Sequence, residues 1–297
     1  LPKENKVAKG KLDILGAVLF VFAIVPLFGA LYEGINIGFE DPMILLSFAI
    51  AIISFIIFIF VEKKKEDPLL QLSIFSNKLF SLSIFCAFIT FVGIFCNNII
   101  LPFYLQDVMN YTPEHTGLIM MVDPLLLTVV APFSGSLSDK IGSEVLTFIG
   151  LILISLGLVL MATLNIDSNL LITMVFIGIM SIGLGLFQSP NNSLIMSTVP
   201  KDKLGIAGSV NALVRNLGMV CGIALATTLL YSMMSSAIGQ RVTDFVVGRS
   251  DAFIYGMRTV YIVAAVISLI GAALTFFRLR SKKLKSSNMY LKHQFKA

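Results

Sequence analysis

Tryptophan is absent from this chain of 297 residues, histidine occurs only twice, and charged residues make up just 13% of it. So little charge excludes a soluble globular domain, whose surface would need far more. The three cysteines, Cys86, Cys96 and Cys221, lie inside apolar runs without metal or redox spacing and read as small buried hydrophobes. His115 falls in a loop and His293 near the C-terminal end, neither beside a second catalytic group. No phosphate loop, HExxH or CxxC pattern occurs. An enzyme is therefore not expected, and neither is a cofactor or a metal. An ATP-driven pump would need a nucleotide-binding domain, for which the chain has no pattern. Without tryptophan one half of the usual aromatic belt is missing, which leaves Tyr32, Tyr104, Tyr231 and Tyr255 as interface anchors. Leu1 opens a short lysine-bearing segment with neither an initiator methionine nor a signal peptide, so the expectation is a segment cut from a longer chain.

What the chain has instead is long apolar runs, with 57% hydrophobic residues overall. Eight stretches approach or exceed the roughly 20 residues that cross a hydrocarbon core. They are 13–34, 43–61, 80–105, 117–138, 144–164, 169–196, 206–235 and 252–278. This pattern predicts an all-α polytopic membrane protein, since a barrel would show short alternating segments. The longest runs imply tilt, kinks or interfacial ends. The net charge of +5 fits the positive-inside rule better than a nucleic-acid partner. One side carries Lys3, Lys6, Lys9, Lys11, Lys63, Lys64, Lys65, Lys78, Lys140, Lys201, Lys203, Arg278, Arg280, Lys282, Lys283, Lys285, Lys292 and Lys296. The other side has Arg241 and Arg249 only. That asymmetry assigns the first side, with both termini, to the cytoplasm.

Three charged residues interrupt the spans: Asp123, Arg215 and Arg258. A charge at bilayer depth costs at least roughly 2.5–3.5 kcal/mol on insertion scales, so such residues face a bundle interior or a wet path. Arg215, Gly218, Gly222 and Ala226 are three and four apart and share one helix face. Gly218 and Gly222 form a small-residue pair that predicts close helix contact. Arg215 lies about 15 Å from the lysine-bearing end of its span at 1.5 Å per residue. It reads either as a functional charge or as a structural arginine bonded to helix carbonyls. Asp123 lies roughly 9 Å deep from the opposite side. Pro124 follows it and Pro132 stands two turns on, each removing a helix hydrogen bond and freeing carbonyls. A carboxylate taken out of water binds its proton more tightly, as proton coupling requires, and a carboxylate attracts cationic compounds. The competing reading pairs Asp123 with Arg258 at similar depth.

Uncharged polar residues add cavity-lining candidates. Asn97 and Asn98 lie in the third span, and Gln188 and Asn191 flank Pro190 in the sixth, next to Asn192. Such a helix-break pattern occurs at transporter sites. The alternative is interhelical hydrogen bonding, worth about 0.6 kcal/mol on average. Phe85, Phe88, Phe91 and Phe95 follow helical spacing and suit a hydrophobic cavity wall, or simply core and lipid contact. Glu33 reads as a solvated helix end.

Between the fourth and fifth spans, residues 135–142 read GSLSDKIG. Gly135 allows close helix approach, Leu137 is apolar, Asp139 is suited to accept backbone N–H bonds from the next helix, Lys140 favours the inside, and Gly142 permits a turn. This loop resembles the signature G-x-L-[AS]-D-[KR]-x-G-[RK]-[RK] of the major facilitator superfamily. It departs from it at Ser143 and Glu144, where the family has a basic pair. Residues 68–80 (PLLQLSIFSNKLF), 101–106 (LPFYLQ) with Tyr111, Pro113 and Gly117, 205–209 (GIAGS) with Arg215, Gly218 and Gly222, and 256–258 (GMR) are similar, in order, to segments of the 14-helix drug:proton antiporters of the EmrB/QacA type.

The resemblance implies helices seven to fourteen of such a protein. A two-helix central unit would occupy residues 1–79, a six-helix half of a major facilitator fold residues 80–281, and a basic cytoplasmic tail residues 282–297. The implied function is proton-coupled efflux of hydrophobic or cationic compounds across the plasma membrane. Asp123, Arg215 and Arg258 would then be the proton-coupling or substrate residues. The implied partners are lipid, a small-molecule substrate, protons and a missing N-terminal six-helix half. A proton-coupled permease for a specific metabolite and a non-transporting assembly or sensor module are the alternatives.

Overall fold

The computed structural model describes residues 13–65 and 72–294, and their side chains except at 35, 36, 72 and 281–294. The lysines before residue 12, the start of segment 68–80 and the side chains of the basic tail lie outside the described residues. Among the described residues every regular element is helical. Eight helical stretches among them are long and apolar enough to cross a membrane: Ile14–Gly34, Pro42–Glu62, Lys78–Val108, Pro113–Ile141, Ser143–Met161, Leu170–Ser197, Lys201–Ile238 and Ser250–Arg280. All eight predicted spans are present, with ends moved by a few residues. The chain divides into two compact units, one ending at Ser76 and one beginning at Asn77.

The first unit pairs α1 (Ile14–Ile37) with α2 (Pro42–Glu62). Each helix starts at an aspartate whose side chain accepts an orphan backbone N–H: Asp13 from Gly16 at 2.7 Å, and Asp41 from Met43 at 2.8 Å with Pro42 in the first turn. Lys65 Nζ also donates to the Asp13 carboxylate. Gly16 leaves this corner its room, because a Cβ there would lie 2.5 Å from a carboxylate oxygen of Asp13 and of Glu62. The hydrogen bond from Lys65, helped by the Gly16 N–H, pulls the Asp13 carboxyl down to about 2. Its folded value is depressed, so this clasp is at full strength above the ordinary value of 3.8 and is lost as pH falls through about 2. We expect an isotope-edited carboxyl titration to place the Asp13 midpoint near 2, and Lys65→Ala to move it back toward 3.8.

The second unit contains α3 (Lys78–Phe103), α4 (Pro113–Met120), α5 (Val122–Ile141), α6 (Ser143–Met161), α7 (Leu170–Ser197), α8 (Leu204–Ile238) and α9 (Ser250–Gln294). Asn77 and Asn169 cap α3 and α7 through their side chains. The backbone of α9 continues as helix to Gln294, beyond the span end expected at residue 278. α3 forms the most buried span. It packs on α8, α9 and α7, while α6 packs on α7 and α9, which closes a ring of five helices. α5 joins that ring chiefly through α7, and its span is the least buried. Leu101, Leu151, Ile154, Phe187, Phe253 and Tyr261 lie in the core.

Lipid tails are as apolar as leucine, so helices in a bilayer associate through close packing. Gly218 and Gly222 let α8 lie on the main chain of α3. A Cβ at Gly218 would come within 2.8 Å of the Phe88 carbonyl oxygen, and one at Gly222 within 2.6 Å of that of Val92. Both obstacles are backbone, so neither can swing aside. Gly205, near the start of the same helix, has open space around it. Gly222→Ala is therefore expected to cost about 1–3 kcal/mol through overpacking. Gly205→Ala should leave the melting temperature in detergent unchanged or raised, given the better helix propensity of alanine.

Candidate functional site

The fourth span carries a one-residue irregularity at Met121, whose dihedrals stay right-handed helical. α4 ends at Met120, Met121 forms a turn, and α5 starts at Val122, so Asp123 sits in the first turn of α5. Pro124 has no N–H to donate, and this is where the irregularity falls. The Asp123 carboxylate is half-buried and accepts a 2.5 Å hydrogen bond from the Ser181 hydroxyl of α7. Counted from Ile141 it lies about 27 Å from the lysine-bearing end. A half-buried acid at bilayer depth with one short hydroxyl bond has acceptor capacity left for a cation or a donor.

Arg258 does not pair with it. Its side chain is exposed, and Nε donates to the Ala162 carbonyl at the end of α6 at 3.2 Å. The Asp123–Arg258 ion pair considered from the sequence is thus replaced by two separate contacts. Arginine reaches a helix end because its long stem lets the charged head find the last free carbonyls.

The loop signature folds as a hinge of one residue. Gly142, at φ +93°, is the single residue between α5 and α6, a conformation that favours glycine. Gly135 faces Ser189 of α7, with room for a Cβ 3.4 Å from its hydroxyl, and Leu137 is exposed. Asp139 and Lys140 are exposed in the last turn of α5. The expected capping of the next helix by Asp139 is not formed: the cap position of α6 is Gly142, and no side chain bonds there. Glu144 is instead the acidic group in the first turn of α6, and its carboxylate lies 3.6 Å from Arg278 Nε of α9. The sequence reading missed this pair. Its signal was a buried acid and a helix-end arginine of opposite charge on the lysine-bearing side.

The uncharged candidates separate by burial. Asn97 is only 3% exposed and accepts a 3.1 Å bond from the Tyr261 hydroxyl of α9. Asn191 is 2% exposed and donates to the Ser83 carbonyl of α3 at 3.1 Å. Both lie in helix–helix contacts. Asn98 and Gln188 are half-buried, and Asn192 is exposed and accepts a 2.9 Å bond from Asn211 of α8. In the aromatic stripe, Phe88, Phe91 and Phe95 surround the glycine contact with α8, and Phe85 is exposed.

Arg215 is exposed on α8, eleven residues from Leu204, about 16 Å in from the lysine-bearing end. Its guanidinium stands 5.3 Å from the centre of the Phe91 ring. Among the described residues no carboxylate forms an ion pair with it. No group of three or more His, Cys, Asp or Glu residues that could hold a metal occurs among them either.

Glycine-tight helix contacts, proline-bearing spans and charges at bilayer depth define a multi-pass helical membrane protein. Residues 14–223 match the family model of the Major Facilitator Superfamily, and the chain belongs to that superfamily. It is 33% identical to the riboflavin transporter RibZ of Clostridioides difficile over 236 residues, covering 77% of this chain and 49% of the relative. It is 27% identical to the multidrug transporter protein MdtP of Bacillus subtilis, covering 81% of this chain and 44% of the relative. It is 24% identical to the lincomycin resistance protein LmrB of Listeria monocytogenes, covering 84% and 55% respectively. The chain spans about half the length of the curated relatives it matches. These relatives are named as transporters or resistance proteins, not as enzymes.

The buried Tyr261–Asn97 bond can be tested directly. Tyr261→Phe leaves the Asn97 carbonyl oxygen buried without its donor and is expected to cost about 1–3 kcal/mol. Replacing both, as Tyr261→Phe with Asn97→Leu, should recover part of that loss in thermal unfolding. A cavity role for Asn97 would instead show as altered substrate handling at unchanged stability.

Proposed function

We propose that this chain is the C-terminal portion, helices seven to fourteen, of a 14-helix drug:proton antiporter of the EmrB/QacA type. In this reading it sits in the plasma membrane with both ends cytoplasmic and exports hydrophobic, often cationic compounds at the expense of proton influx. The six-helix unit would rock against a further six-helix half around a site near the bilayer midplane. Asp123 is the proton- or cation-binding group, Arg258 tethers α9 to the end of α6, and residues 135–142 form the loop between α5 and α6. Asn98 and Gln188 are the polar wall candidates that remain outside tight contacts.

One observation carries the reading: a half-buried carboxylate at bilayer depth, placed beside a helix irregularity and held by a single serine hydroxyl. Support comes also from the relatives named for multidrug transport and lincomycin resistance. A permease for a specific metabolite is the second reading, favoured by the relative named as a riboflavin transporter.

The test uses everted vesicles carrying the complete natural protein. Ethidium accumulation should require a proton gradient and collapse with an uncoupler. Asp123→Asn should lower the initial rate at least about tenfold, a loss of about 1.4 kcal/mol in transition-state stabilisation. Unchanged transport in that variant at equal expression rejects the coupling role. Ethidium transport indifferent to the uncoupler rejects antiport.

A further inference from the structure

Four arginines lie within the spans of the six-helix unit, Arg280 at the very end of the last one, and two of the others meet a partner inside the unit. Arg258 donates to the Ala162 carbonyl, and Arg278 faces Glu144. Arg215, well inside its span, has neither a carboxylate nor a carbonyl partner among the described residues, only the Phe91 ring at 5.3 Å. Its depth of about 16 Å places it in the hydrocarbon region. A charge at that depth is costly against acyl chains, so the exposed face of Arg215 fits a wet path or a partner surface better than lipid.

The surroundings of Arg215 are built. The Gly218–Gly222 contact brings α8 onto α3, and Phe91 belongs to the stretch of α3 that meets those glycines. A cation stacked on an aromatic face keeps its in-plane N–H donors free at the edge. One turn toward the lysine-bearing end, Asn211 of α8 bonds Asn192 of α7. α7 and α8 run in opposite directions, so the next turn inward on the same faces carries Gln188 on α7 and Arg215 on α8. Gln188 is half-buried, and its amide adds a second donor group. A guanidinium and an amide on facing helix turns suit an oxyanion.

We propose that Arg215, braced by Phe91 and accompanied by Gln188, is the carboxylate-recognising site of the transport path. It extends the substrate range from cationic compounds to ones that carry a carboxylate. The inference rests on the transporter reading. The chemistry required is a carboxylate, and it has two sources that the test separates: a substrate, or an acidic side chain from outside the described residues.

The test measures binding by fluorescence to the purified complete natural protein, independently of any proton gradient. The probes are norfloxacin, a fluorescent zwitterion with a carboxylate, its methyl ester, which lacks that charge, and ethidium. Wild type should bind norfloxacin at least about tenfold more tightly than the ester, as expected for charge-assisted bonds to a guanidinium. Arg215→Gln should erase that preference and leave ester and ethidium binding within about twofold of wild type. Arg215→Lys, which keeps the charge but not the planar fork, should retain part of it. Equal binding of acid and ester by wild type overturns the proposal and needs no variant to fold. Loss of all three probes together in Arg215→Gln, with a lowered melting temperature, also overturns it, because the carboxylate then belongs to the protein. Proton-dependent ethidium export that persists alongside either result leaves the antiporter reading standing while this inference falls.

Discussion

The contact of α8 with the main chain of α3 is the interaction on which the site depends. α3 is the most buried span, and the approach at Gly218 and Gly222 leaves no room for a Cβ beside the carbonyls of Phe88 and Val92. In lipid such contacts replace the hydrophobic force that would assemble a soluble bundle. The same device holds α6 to α7, where a Cβ at Gly150 would lie 2.7 Å from the Gly183 carbonyl oxygen. With α8 locked on α3, Phe91 is fixed and so is the ring against which Arg215 stands. A shift of one helical step in this seam would carry the guanidinium to a different neighbour. The placement of the charge is thus a consequence of residues that carry none.

Close packing sets distance, and buried hydrogen bonds set rotation. Asn97 meets Tyr261 between α3 and α9, Asn191 meets the Ser83 carbonyl between α7 and α3, and Ser134 donates to the Gly185 carbonyl at 2.8 Å between α5 and α7. Each bond contributes modestly, but the wrong rotation of any of these helices would bury a polar group without a partner, at about 1–3 kcal/mol. That asymmetry makes the orientation unique even where the net gain is small. It also separates the residues that hold the bundle from those left half-buried at its surface, among them Asn98, Gln188 and Asp123.

The spans were legible because their length answers to bilayer thickness, a property of each segment alone. The face shared by Arg215, Gly218 and Gly222 was legible for the same reason, since helical periodicity is local. Partner choice was not. Arg258 and Asp123 have similar depth and opposite charge, yet Arg258 bonds the Ala162 carbonyl and Asp123 bonds Ser181. Which helix stands beside which is decided by long-range packing, and a run of residues does not encode it. The acid in the loop region shows the same limit. Asp139 has the residue type of a helix cap, but the turn comes at Gly142, so it ends in the last turn of α5.

The departure at Ser143 and Glu144 from the basic pair of the family signature gains a physical meaning from the helix termini. A basic residue in the first turn of a helix opposes the positive dipole end, whereas an acid there complements it. Glu144 occupies that turn of α6, and its cation, Arg278, comes from α9. α6 is thereby clasped to α9 at the lysine-bearing end, with the rings of Phe148 and Phe276 tilted against each other 5.7 Å apart. Among the described residues α5 has no such ion pair to another helix. It is joined to α6 by one glycine and held to α7 by Ser134 and by the bond from Ser181 to Asp123. Asp123 is therefore a tether as well as a candidate ligand. Among the described residues its bond from Ser181 is one of two side-chain hydrogen bonds that hold α5 to α7.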